Sequence, residues 1–183
     1  MALDIFVQTK NRIYDEGNDQ ADYALSRSLC RLFLGTYKSA NPDHGELIQV
    51  GKLAGVDLTP LVMMGDYVTK DHEELLLANV NDPEEKEMLH RDIQRKRDAA
   101  WQSIPVVKGT IVALLNRLNE GVYAQIVYHE NNQEWLRPYF HDPQPDRGGE
   151  YAGNTFVQDL RNVLGYLEFA EQKGETYVIF DFG

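Results

Sequence analysis

The residues able to do chemistry are few and scattered. Five histidines are present: His44, His72, His90, His129 and His141. A zinc site is built from histidine and cysteine at short, regular spacing, and the chain has no His-x-x-x-His pair and no Cys-x-x-Cys. Its single cysteine, Cys30, stands beside Leu29 on an apolar helical face with Phe33, where a thiol serves as a small hydrophobe. A serine nucleophile needs a base and an oxyanion hole. Ser26, Ser28, Ser39 and Ser103 lie in no Gly-x-Ser-x-Gly turn. No phosphate-cradling glycine loop occurs, and Gly148-Gly149 is flanked by Asp146 and Glu150, which repel an anion. The best grouping for hydrolytic acid–base work is His141 with Asp142, Asp146 and Glu150, although a solvated loop is the simpler account of those acids. No motif prescribes a reaction, so no catalytic, cofactor-binding or metal-ligating residue is assigned.

What remains is charge. Asp and Glu number 29 against 18 Lys and Arg, a formal charge of −11. That balance disfavours free nucleic acid and anionic membrane surfaces as partners. The acids crowd Asp71 to Glu87, with Arg91, Arg95, Lys96 and Arg97 following. Helix-dipole capping explains part of this order. A basic protein is the partner such a face fits, and the residues assigned to hold it are Glu73, Glu74, Asp82, Glu84, Glu85 and Glu87.

The elements that position these residues follow from periodicity. Leu3 to Gln8 alternates as a strand with Leu3, Ile5 and Val7 inward. Ala21 to Tyr37 reads as a helix, and so does Glu46 to Ala54, stopped by Gly55. Asp57-Leu58-Thr59-Pro60 restarts the chain with a cap and an early proline. Asp71 is expected to cap a helix through Val80. Asp82-Pro83-Glu84-Glu85 is the clearest helix start, opening a charged helix to about Ser103 with a thin stripe of Leu89, Ile93, Ala100 and Ile104. Pro105 restarts an apolar helix through Leu118, and Gly121 ends it.

From Val122 to His129 and from Gln133 to Phe140 the period becomes two around Asn131-Asn132, which predicts a β-hairpin with Pro138 on its edge strand. That hairpin would separate His129 from His141 by roughly 20 Å. A capped amphipathic helix follows Asn154-Thr155, with Phe156, Leu160, Val163, Leu164, Leu167 and Ala170 in its stripe and Gly174 as its stop. Thr176 to Phe182 is apolar on both faces and needs a place inside a sheet.

The expected fold is α+β: a small, mostly antiparallel sheet of N-terminal strand, central hairpin and C-terminal strand, packed with several α-helices. One domain over residues 1–183 is expected, with 71–104 as a charged helical insert or arm. Asp4 interrupts any signal-peptide pattern, and no uncharged apolar run approaches ~20 residues, so cytoplasmic residence is expected. The expected function is non-catalytic: an acidic binding module of the immunity, antitoxin or inhibitor type. A hydrolase with a site assembled from distant residues, or a self-associating subunit, are the alternatives.

Overall fold

The computed structural model describes residues 4–13, 23–38, 45–128, 133–141 and 154–183. In chain order the elements are β1 (Ile5–Thr9), α1 (Arg27–Lys38), α2 (Glu46–Ala54), α3 (Thr59–Met63), α4 (Lys70–Ala78) and α5 (Pro83–Ala100). They continue as β2 (Gln102–Ser103), α6 (Ile104–Leu115), α7 (Glu120–Tyr123), α8 (Gln133–His141), α9 (Phe156–Gln172) and β3 (Tyr177–Phe182). The fold is therefore α+β, with a three-stranded antiparallel sheet in the order β1-β3-β2.

The last strand is the central one. β3 pairs with β1 from Ile5↔Phe182 to Thr9↔Val178, and with β2 at Gln102↔Val178 and Ser103↔Tyr177. Where short β2 runs out, Phe180 N–H donates to the Met64 carbonyl at 3.0 Å and Tyr67 Oη donates to the Phe180 carbonyl at 2.7 Å. The exposed strand edge that an apolar chain end would otherwise present is thus filled. One face of β3 sends Val178 and Phe180 into the core, where Phe180 meets Phe33 at 4.7 Å between ring centroids.

α9 covers that sheet with Phe156, Leu160, Val163, Leu167 and Ala170, all buried, while Leu164 sits half-buried at the margin of the stripe. Its cap is Thr155, whose Oγ1 accepts from Gln158 N–H at 3.2 Å. Gly174 takes φ 84° just past its end, a conformation that disfavours any residue with a Cβ. α6 lies beside α9 and buries Ile104, Val107, Ile111 and Leu114.

The central hairpin is not formed. Val122 and Tyr123 belong to α7, capped by Asn119, and Gln133 to His141 forms α8 with Pro138 inside it. The β-branched and aromatic content argued for strands, but the buried positions Leu136, Tyr139 and Phe140 recur at three and four, which buries one helical face. Between the two helices, Gln49 completes both backbone groups of Val127: its Nε2 donates to the carbonyl and its Oε1 accepts from the N–H, each at 2.9 Å. The partner that a hairpin strand would have supplied is therefore a side chain. The third strand is β2 instead.

Smaller boundaries also move. α1 begins at Arg27 because Ser26 becomes its cap, with Oγ accepting from Leu29 N–H at 3.2 Å; Tyr23 to Leu25 are outside it. α4 is preceded by Thr69 rather than Asp71, and it ends at Ala78. α5 stops at Ala100, since Gln102 and Ser103 leave to pair with β3. α6 ends at Leu115, and Gly121 lies within α7. No helix among the described residues is long and apolar enough to cross a membrane.

Candidate functional site

The acidic residues assigned to partner binding fall on two antiparallel neighbours, α4 and α5, joined by residues 79–82. Neither helix contributes to the main apolar core; α5 buries Ile93 and Ala100 outside that cluster. Asp82 caps α5, its Oδ1 accepting from Glu84 N–H at 2.8 Å and from Glu85 N–H at 2.9 Å. Pro83 then enters with the fixed φ and absent donor that the first helical position tolerates.

The structure separates the six carboxylates. Glu73 turns inward: its Oε2 accepts from Arg97 Nη2 at 2.7 Å, and its Oε1 lies 2.7 Å from His90 Nδ1. Arg97 also donates to the Val68 carbonyl at 2.8 Å, so one guanidinium ties α5 to α4 and to the chain leading into it. The Arg97 hydrogen bond, with His90 adding to it, holds the Glu73 carboxyl below the usual glutamate range against the effect of burial. Glu74, Asp82, Glu84, Glu85 and Glu87 are exposed. Glu87 has a loose neighbour in Arg91 at 3.9 Å, a pair worth little in water. Two large apolar side chains are exposed on the same helices, Leu75 at 65% and Met88 at 64%.

A second polar constellation was not anticipated. Asp159, in the first turns of α9, is fully buried and accepts four hydrogen bonds. Oδ1 takes Ser26 N–H at 3.0 Å and Asn154 Nδ2 at 2.7 Å; Oδ2 takes Ser26 Oγ at 2.5 Å and Tyr139 Oη at 2.6 Å. Burial nevertheless outweighs those donors and raises the Asp159 carboxyl above the usual aspartate range. Tyr139 is raised well above an ordinary phenol, first by burial and then by the Asp159 charge. The sequence did carry a signal: Asp159 falls between Phe156 and Val163 on the apolar stripe, an acid at a core position. With every carboxylate oxygen occupied and no exposure, the group joins α1, α8 and α9 and presents nothing to a substrate.

The hydrolytic grouping is divided by the limits of the description. His141 ends α8, exposed, with its ring 6.0 Å from Tyr123 and 6.5 Å from Tyr128. Asp142, Asp146, Glu150, His44 and His129 lie outside the described residues, and the His129–His141 separation drawn from a hairpin no longer applies. Tyr123 and Tyr128 pack on Phe140, and burial pushes each phenol up to about 12. No group of three or more histidine, cysteine, aspartate or glutamate side chains placed to hold a metal occurs among the described residues. Cys30 is buried, and desolvation with the nearby Asp4 charge pushes its thiol up to about 11, far from a reactive thiolate.

Fold and site together define an α+β chain in which α4 and α5, with exposed acids around the turn that joins them, stand outside the main apolar core. No family model, no curated protein and no solved structure matches the chain.

Proposed function

We propose that the protein is a non-catalytic binding protein that holds a basic protein partner on α4 and α5, in the manner of an immunity, antitoxin or inhibitor protein. One observation carries the reading: Glu74, Asp82, Glu84, Glu85 and Glu87 are exposed around the turn joining the two helices, with Leu75 and Met88 exposed on the same pair. Carboxylates supply steering and register, and desolvated apolar side chains supply affinity. Glu73 is committed to Arg97 and His90, so it positions the helices and is not counted among the contacts.

The test is affinity capture at low salt on two columns, one carrying the wild-type chain and one carrying Glu74→Lys, Glu84→Lys, Glu85→Lys and Glu87→Lys together. A basic protein retained stoichiometrically by the first column, released by a salt gradient and absent from the second is the expected result. Equal retention on both columns, or none on either, overturns the reading.

A further inference from the structure

We propose that the outward face of α5 pairs with α5 of a second copy of this chain, antiparallel and about a two-fold axis. Helical geometry at 100° per residue places Glu84, Glu87, Met88, Arg91, Arg95 and Asp98 within an arc of about 100°, opposite the buried Ile93 and Ala100. This face is open: the side chains of Glu87, Arg91 and Arg95 are 71%, 68% and 77% exposed. Glu84 and Glu87 occupy its first turns with Met88 beside them, Arg91 and Arg95 follow, and Asp98 closes the face in the last turn.

A two-fold interface must be complementary to itself. With the axis between residues 89 and 90, Glu84 and Arg95 each lie about 8 Å from it along the helix, on opposite sides. Antiparallel pairing therefore sets Glu84 level with Arg95 of the second copy, and brings Glu87 to within about 1.5 Å, along the helix, of Arg91 of the second copy. Each Met88 lies about 2 Å from the axis along the helix, at one margin of the arc, level with Arg91 of the second copy, whose aliphatic stem it can cover. Parallel pairing would set like charges together.

The existing partners do not compete strongly. Arg91 reaches Glu87 at 3.9 Å and Arg95 reaches Asp92 at 2.5 Å, both on the exposed surface, where such pairs contribute little and exchange at small cost. The chain as a whole carries −11, which opposes bringing two copies together. On this face two of the three acids stand opposite the two arginines in the antiparallel arrangement, so the contact itself brings unlike charges together. The consequence deepens the reading above and rests on it: self-association covers Glu84 and Glu87, and a basic partner must displace the second copy to reach them.

Sedimentation equilibrium of the full chain, across concentration and at low and high salt, tests the pairing. The expected result is a monomer–dimer equilibrium that weakens as salt rises. Glu84→Arg with Glu87→Arg, and separately Arg91→Glu with Arg95→Glu, should each raise the dimer dissociation constant at least about tenfold while leaving the melting transition in place. An equimolar mixture of the two variants should restore a dimer, now between unlike chains. A monomer at every concentration, a dimer indifferent to both reversals, or a mixture that stays monomeric overturns the proposal. The two readings fail separately. A strictly monomeric chain that still retains a basic partner removes only the pairing, and a charge-dependent dimer with no basic partner removes only the reading above.

Discussion

Tyr139 Oη donates to Asp159 Oδ2 at 2.6 Å with both residues buried, so the last turns of α8 are fastened to the first turns of α9. Ser26 adds α1 through its N–H and its hydroxyl. This is a buried polar junction between the three elements, and Asn162 Nδ2 of α9 adds a bond to the Ala24 carbonyl at 2.7 Å just before α1. Such junctions select one packing among several that would bury similar area.

Asp159→Ala should cost about 3–5 kcal/mol, because the donors of Ser26, Tyr139 and Asn154 are left buried without an acceptor. Asp159→Asn should cost less, since its carbonyl retains two donors and the hydroxyls can turn. The pH dependence has a definite sign. The folded-state carboxyl is raised, so the folded chain holds its proton more tightly than the unfolded chain. The stability gained over Asn is largest below the ordinary aspartate value, about 3.9, and is lost as pH rises through the folded value. Urea unfolding of both proteins across acidic to neutral pH measures this; a gap that widened with pH would contradict it.

Glu73→Gln should behave in the opposite sense. Its carboxyl is lowered by Arg97 and His90, so its contribution is present above the ordinary glutamate value, about 4.3, and is lost as pH falls through the folded value. The same titration therefore separates the two acids by the direction of their slopes. Hydrogen exchange should also rise in α4 and α5 of this variant, because Arg97 loses its charged partner there and keeps the Val68 carbonyl.

Leu167→Ala should destabilise the chain by about 2–5 kcal/mol, as truncation of a fully buried side chain against the sheet. Leu164→Ala should cost about half of that or less, since Leu164 only borders the core. Equal losses in chemical denaturation would place the stripe of α9 differently from the structure.

Removing Phe180 to Gly183 takes away half of the central strand: three of its five pairs with β1, the Met64 bond and the Phe33–Phe180 contact. The truncated chain should lose its cooperative thermal transition or aggregate, read by calorimetry and light scattering. A soluble chain that still melted cooperatively would show that Tyr177 to Ile179 suffice to hold β1 and β2 together.

Three glycines should answer alanine differently. Gly109 lies within α6 with nothing within 4 Å of an added Cβ, so Gly109→Ala should stabilise by about 0.5–1 kcal/mol. Gly55, at φ 62° after α2, should lose about 1 kcal/mol through strain. At Gly51 a Cβ would stand 2.9 Å from Leu58 Cγ and 3.0 Å from the Val56 carbonyl oxygen, so the loss should be the largest of the three. Melting temperatures of the three variants test that order.

Local chemistry is legible in the sequence wherever neighbours in the chain decide it. Asp82-Pro83, Lys173-Gly174 and Gly55 mark helix ends because caps and left-handed stops depend on residues a few positions apart. The stripe of α9 and the double-sided apolarity of Tyr177 to Phe182 require a sheet beneath a helix. The exposed acids of α4 and α5 are equally visible as a run of charge. Contacts between distant segments decided the rest. Val122 to Phe140 has strand propensity, yet Leu136, Tyr139 and Phe140 found a core that only helices could face, and Gln49 satisfied the backbone of Val127 from 78 residues away. Glu73 and Glu74 are adjacent and identical in type; a single Arg97, 24 positions on, turns the first inward. Asp159 is an acid on an apolar stripe until Ser26, Tyr139 and Asn154 gather around it. Hydrogen-bond partners brought by the fold, and not the side chain's own type, determine whether a charge is buried or offered to another molecule.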